Sequence, residues 1–241
     1  MGNLWTRYKL FLITGLIIKT LLFMVVFVLY FTDLFVLKEI RVLNNKKISA
    51  DEVKRLTDLK GQERLFRINL KDLEKRLKAH PLIEEVVIIR RLPSLLEIII
   101  KEREALAILI KEHKGYLIDR KGIIIGGVLP QDYLYYPLIE IKNETWKDNF
   151  LTFLEWLKTN KKYLPVYENY SKITLDKNKI IFQTKNHIKI YFPLGVTEEL
   201  TKLYLHLDRI MVYLYESKQI EKIDLIRMDY PFGQALIKFR S

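Results

Sequence analysis

The chain has 241 residues, a formal net charge of +12 and no cysteine. The lack of cysteine excludes disulfide bonds, thiolate metal sites and cysteine nucleophiles together. The basic balance fits an anionic partner such as nucleic acid, acidic lipid headgroups or wall polymers. Basic and acidic residues are interspersed, however, and no block of five or more basic residues occurs, so we do not expect the chain to bind nucleic acid.

The first predicted element is a membrane-spanning helix. Residues 10–31 contain 16 Leu, Ile, Phe or Val among 22 positions, and a helix of that length spans a hydrocarbon core of about 30 Å. A buried core helix rarely runs this long without a polar face. A cleaved signal peptide would have a shorter apolar region that ends in small residues. We therefore predict a tail at 1–9 and an uncleaved transmembrane helix at 10–33.

The edges of this span and its orientation leave alternatives open. If the span runs over 16–37, Lys19 lies near one interface and its charge can reach water; otherwise Lys19 faces a partner helix. Arg7 and Lys9 favour a cytoplasmic N-terminus, although four basic residues also follow the span within about 20 positions. Because long domains translocate largely regardless of charge, we predict that the N-terminus is cytoplasmic and the rest lies outside.

The next segment is predicted to fold as β-α-α-β-β over residues 35–104. Residues 35–43 alternate as a strand, and Ser49 with Glu52 forms a capping box for a helix that stops near Gly61. Asn69 caps a second helix, which ends at His80 because a proline follows. Residues 85–89 and 95–102 are two further strands, and the core face of the second carries Leu96, Ile98 and Ile100.

This order, directly after one membrane span, resembles the POTRA domain of the FtsQ/DivIB family of bacterial cell-division proteins. The matching motifs are His80-Pro81-Leu82-Ile83, Val86-Val87-Ile88-Ile89, Arg90-Arg91-Leu92-Pro93 and a strand from Leu96 that ends in Glu102-Arg103. One departure is Ala105, where the family commonly has proline.

Residues 105–241 are predicted to form a mostly antiparallel β domain with flanking helices. Asp119 to Gly122 makes a turn between two strands. Helices are expected at 145–158 and 197–216, a meander of three short strands at 172–175, 179–184 and 188–192, and a terminal hairpin at 223–228 and 234–239. The fold class is thus α+β: a single N-terminal transmembrane helix, a POTRA domain and a β domain. The resemblance extends over this second segment more loosely.

No motif for chemistry occurs in the sequence. Nucleotide-binding loops, zinc-protease motifs and nucleophile elbows are absent, and the four histidines lack ligand-type spacing. We therefore expect no catalytic residue, no metal, no cofactor and no small-molecule substrate, although a serine nucleophile with converging partners stays open. Two N-x-S/T sequons, at Asn143 and Asn169, would suit a eukaryotic type II membrane protein, but chance yields as many.

The resemblance implies a non-enzymatic scaffold of the divisome in the bacterial inner membrane at the septum. Such a protein would hold FtsB- and FtsL-type membrane partners and link early division proteins to septal wall synthesis. The alternative is a membrane-anchored envelope enzyme or wall-binding protein with an unrecognised site in its β domain.

The partner site is predicted on the last strand and the loop before it. Final strands are often sheet edges that can accept a further strand. The resemblance to the FtsQ/DivIB family implies the same site, because its members use the last strand and its neighbourhood to hold the FtsB-type partner. Alternation directs Ala235, Ile237 and Phe239 to the core and leaves Gln234, Leu236, Lys238 and Arg240 on the other face, next to Tyr230 and Phe232. The competing interpretation is an edge that Lys238 and Arg240 protect from aggregation.

Overall fold

The structure, a computed structural model, describes residues 2–31, 35–230 and 234–240. It divides the chain into two compact units, residues 1–102 and residues 103–241.

The first element is helix α1, Gly2–Phe31. Its described side chains from position 7 to position 27 are exposed to the surroundings, and α1 is the one helix in the described part of the chain that is long and apolar enough to cross a membrane. So much exposed apolar surface would be unfavourable in water, and α1 is therefore a candidate membrane-spanning helix. The helix begins eight residues before the predicted span because nothing in residues 2–9 stops a helix; positions 32 and 33 of the predicted span lie outside the described residues.

The rest of the first unit is a three-stranded sheet with two helices. Its elements are β1 Glu39–Leu43, α2 Ala50–Thr57, α3 Leu70–Lys78, β2 Ile83–Arg91 and β3 Leu95–Glu102. Strand β3 lies in the centre, parallel to β1 and antiparallel to β2. Leu96, Ile98 and Ile100 of β3 are buried in one core with Leu73 and Leu77 of α3. The predicted β-α-α-β-β order and the core face of β3 are confirmed.

The helix ends of this unit follow the local sequence only in part. The Ser49 hydroxyl accepts a hydrogen bond from the Glu52 amide at 3.1 Å, as predicted, but the Glu52 carboxylate lies 3.5 Å from Nε2 of His80. The prediction that α2 continues to near Gly61 is wrong. The helix ends at Thr57 because Asp58 adopts a left-handed conformation, with φ of 54°, and its amide bonds the Arg55 carbonyl. Aspartate tolerates this conformation better than most residues.

The described residues of the second unit form a nine-stranded mixed sheet and three α-helices. The strands are β4 Ala107–Lys111, β5 Lys114–Ile118, β6 Ile124–Gly127, β7 Leu138–Ile141, β8 Tyr170–Leu175, β9 Lys179–Thr184, β10 Lys189–Pro193, β11 Ile223–Arg227 and β12 Leu236–Phe239. The helices are α4 Asp132–Tyr135, α5 Lys147–Thr159 and α6 Thr197–Glu216. The strand order is β12-β11-β10-β9-β8-β7-β4-β5-β6. Five of the eight pairings are antiparallel, and the β4/β7, β7/β8 and β10/β11 pairings are parallel.

Helices α5 and α6 share one hydrophobic core with the sheet. The ring of Phe153 in α5 lies within about 6 Å of Tyr204 in α6 and of Phe182 and Phe192 in the sheet. Leu200, Leu207, Met211 and Leu214 of α6 are buried in the same core, so its predicted apolar stripe is a core face. The β8-β9-β10 meander is also confirmed.

The Glu102-Arg103 pair stands where the two units divide, and each residue is bonded within its own unit. The Glu102 carboxylate accepts hydrogen bonds of 2.5–3.1 Å from the amides of Lys46, Lys47 and Ile48. Partial burial raises the pKa of Glu102, but these three amides outweigh it and hold the pKa below its usual value.

Arg103 makes a different kind of contact. It donates to the buried carboxylate of Asp119 at 2.7 Å, which also accepts from the amides of Lys121 and Ile123. These bonds hold the predicted turn between β5 and β6, in which Gly122 has a positive φ of +74°. Thus Glu102 fastens a loop of the first unit and Arg103 a turn of the second.

Candidate partner-binding edge

Strand β12 is the terminal strand of the nine-stranded sheet. It pairs antiparallel with β11, with Leu236 opposite Arg227, Ile237 opposite Ile226 and Lys238 opposite Leu225. Its other side has no neighbouring strand among the described residues. A strand in this position carries a row of backbone amide and carbonyl groups that can pair with an added strand.

The two faces of β12 differ in burial. Ala235 and Ile237 pack against the core, as predicted, whereas Gln234, Leu236 and Lys238 are exposed. The prediction that Phe239 points into the core is wrong, since its side chain is 45% exposed. It pairs with Ile223 beyond an irregularity in the β11–β12 register, at the last position of an edge strand, where no described strand covers it.

The two cations of β12 are held differently. The Lys238 ammonium lies 3.8 Å from the Asp224 carboxylate and both side chains are well exposed, so this pair contributes little stability. Arg240, in contrast, fastens the end of the strand: its amide bonds the Lys222 carbonyl at 2.7 Å and its guanidinium bonds the Asn186 carbonyl at 2.9 Å. Lys238 is therefore the cation that is freer to meet a partner.

An aromatic ring is fixed beside the first residue of β12. The Arg227 guanidinium donates to both carboxylate oxygens of Asp229, at 2.9 and 2.8 Å, and its carbon lies 5.0 Å from the centre of the Tyr230 ring. Hydrogen bonding between Arg227 and Asp229 raises the pKa of the first and lowers the pKa of the second. Because Arg227 is the register partner of Leu236, Tyr230, Arg227 and Leu236 lie at the same end of the edge. Phe232, the remaining predicted residue, lies outside the described residues.

Elsewhere in the second unit, three buried tyrosine hydroxyls make hydrogen bonds within the core. Tyr170 and Tyr204 share a hydrogen bond of 2.7 Å between their hydroxyls, Tyr204 also bonds the Pro165 carbonyl, and Tyr167 bonds the Leu106 carbonyl at 2.5 Å. Burial raises the pKa of all three phenols, which stay neutral.

In residues 2–31, 35–230 and 234–240 no group of three or more His, Asp or Glu side chains is placed to hold a metal ion.

Comparison with known proteins shows similarity to bacterial cell-division proteins. Residues 35–103 match the model of the "POTRA domain, FtsQ-type" family. The chain is 26% identical, over 213 aligned residues, to the "Cell division protein FtsQ" of Geobacter sp. (strain M21), covering 83% of this chain and 74% of that protein. It is 31% identical over 91 residues to the "Cell division protein DivIB" of Clostridium tetani. The same identity over the same length relates it to the "Cell division protein DivIB" of Clostridium acetobutylicum.

The extent of the match differs between these relatives. The two clostridial alignments cover 38% of this chain but only 34% and 36% of the relatives. The Geobacter alignment runs through both units.

Proposed function

From its membership of the FtsQ/DivIB family of bacterial cell-division proteins, we propose that this chain is a non-enzymatic scaffold of the divisome. It is anchored by α1, with the N-terminus in the cytoplasm and both folded units outside, at the division septum. The second unit holds FtsB- and FtsL-type membrane partners and so connects early division proteins to septal wall synthesis.

The observation that carries the proposal is the open side of β12. A partner segment in extended conformation adds there as a further strand and pairs with backbone groups that β11 does not use. Backbone pairing supplies affinity, and the side chains of the edge select the partner.

The exposed side chains indicate the chemistry of that partner. Leu236 and Tyr230 present apolar surface that is 43% and 37% exposed, and Lys238 adds a positive charge between Leu236 and Phe239. A segment that combines apolar residues with a carboxylate complements this surface. A membrane protein with an extended segment after its transmembrane helix can present this chemistry to β12, because both proteins are held at the same membrane.

A double variant tests the proposal. Leu236→Asp with Lys238→Glu replaces the apolar contact and reverses the charge, without changing Ala235 or Ile237, which pack on the core. We expect FtsB- and FtsL-type proteins to be lost when the full chain is purified from membranes, while circular dichroism and Tm stay near the original values.

A matched control makes the same chemical changes on α6. Val212→Asp with Lys202→Glu alters two exposed positions on that helix, and we expect capture to persist. Normal capture by the folded β12 variant would remove the site from this edge and favour the first unit instead.

Topology has its own test. A reporter fused after Ser241 that works only outside the cytoplasm should be active, and one that works only inside should be silent. The opposite pattern would discard the scaffold proposal, because the partner domains of septal synthesis would then be on the wrong side of the membrane.

A further inference from the structure

A loop of the first unit presents an aromatic ring beside Phe35, the first described residue after α1. This segment, loop 60–68, is joined to the start of the unit: the Leu37 amide bonds the Glu63 carbonyl at 2.8 Å, and Val36 forms a β-bridge with Arg64. The ring of Phe66 lies 5.2 Å from the ring of Phe35 in an edge-to-face contact.

The distance from α1 to this loop is limited by the chain itself. Phe35 follows the last residue of α1, Phe31, by four positions. Four residues cover at most about 14 Å when fully extended. Because Phe66 contacts Phe35, loop 60–68 lies within reach of the headgroup region in which α1 ends.

Loop 60–68 is held in one shape by two charged groups. The Glu63 carboxylate accepts bonds of 2.8–3.1 Å from the amides of Lys60, Gly61 and Gln62. The Arg90 guanidinium donates to the carbonyls of Leu65 and Ile68 at 2.9 and 2.6 Å.

The apolar residues of the loop point in opposite directions. Leu65 is fully buried, whereas its neighbour Phe66 is 43% exposed. An exposed Phe on a preorganised loop loses little conformational entropy when it binds.

Two cations stand on either side of this ring. Arg64 and Arg67 flank Phe66, and within the described ranges neither side chain takes part in an ion pair or a hydrogen bond. The carboxylate of Glu63 is engaged by the three loop amides and is the loop's only acid. An aromatic ring between two arginines suits the membrane interface, where the ring enters the headgroup layer and the guanidinium groups bond phosphate oxygens.

We propose that loop 60–68 binds the anionic lipid surface in which α1 is anchored, with Phe66 inserted among the headgroups and Arg64 and Arg67 on lipid phosphates. Each arginine near an anionic membrane surface contributes about a factor of five in binding. The contact would set the orientation of the first unit relative to the membrane, and it is separate from partner capture at β12.

The lack of cysteine permits a direct test. A spin label on Phe66→Cys in the full chain, reconstituted in nanodiscs, reports immersion through its relative accessibility to oxygen and to a water-soluble nickel complex. The matched control is a label on Val87→Cys, which is also exposed, at 55%, but lies on β2.

We expect the label at 66 to be immersed in discs that contain phosphatidylglycerol and the label at 87 to stay in water. Arg64→Gln with Arg67→Gln should lower the ratio of docked to free loop by about 30-fold, equivalent to about 2 kcal/mol, with Tm unchanged. A label at 66 that stays in water in anionic discs would overturn the proposal and leave the loop to a protein partner. Equal immersion in purely zwitterionic discs would overturn recognition of anionic lipid.

Discussion

Replacement of Ile98 by aspartate should unfold the first unit and leave the second unit intact. Ile98 is fully buried in the central strand β3, between Val42 of β1 and Ile88 of β2. Its loss removes the transfer free energy of a buried isoleucine and leaves a cavity, which together amount to about 2–5 kcal/mol. The carboxyl group that replaces it has no partner in this core and adds several kcal/mol more.

That sum is to be compared with the stability of a small unit. At about 0.05–0.15 kcal/mol per residue, residues 35–102 have a free energy of unfolding of about 3–10 kcal/mol. The destabilisation by Ile98→Asp therefore equals or exceeds the free energy of unfolding of this unit. The second unit has a separate core and should not be affected.

Limited proteolysis of the full chain measures both units at once. In Ile98→Asp, we expect residues 35–102 to be digested while a fragment from about Arg103 onward persists. Val87→Asp is the control, since this side chain is 55% exposed on the neighbouring strand, and it should be digested no faster than the original protein. Simultaneous loss of both units in Ile98→Asp would refute the division near Arg103.

Two further predictions follow from the charged groups around the division of the units. Arg103→Ala should destabilise the second unit by about 3–5 kcal/mol, because the buried Asp119 carboxylate loses its cationic partner. Arg120→Ala, at the exposed pair with Glu155, should change the unfolding free energy by less than about 1 kcal/mol. Equal effects of the two substitutions in urea unfolding would contradict this prediction. Since the folded-state pKa of Glu102 lies below its unfolded value, its stabilisation is present above the unfolded pKa of about 4.3 and is lost as the pH falls through the folded pKa. The Tm of the original protein should thus drop more between pH 6 and pH 3 than that of Glu102→Gln, and parallel curves would show that the carboxylate has no such role.

Local sequence patterns predicted the positions of helices and strands better than they predicted which strands pair with each other. The bounds of α6 agree with the sequence because Glu198 and Glu199 mark its first turn and an apolar stripe follows at helical spacing. The parallel pairings of β1 with β3 and of β7 with β4 and β8 could not be predicted, since alternation identifies a strand but not its partner. The end of α2 was missed because two residues, Asp58 and Gly61, both adopt positive φ, and the nearer one ends the helix.

The candidate edge was predictable in position and less so in detail. The strand order places β12 at one end of the sheet, as expected for a final strand, and its alternation separates Ile237 from Leu236. The exposure of Phe239 depends on what covers the strand end, and the engagement of Arg240 depends on the distant Asn186 carbonyl. Such contacts arise from tertiary structure, and no local sequence pattern predicts them.

Crosslinking at β12 in dividing cells tests the scaffold proposal most directly. A photoreactive residue at Leu236, on the open edge, is compared with one at Tyr213, which is 63% exposed on α6. We expect a crosslink from position 236 to an FtsB-type protein and none from position 213. Crosslinks from position 213 alone, or none from position 236 in a folded and dividing strain, would contradict it.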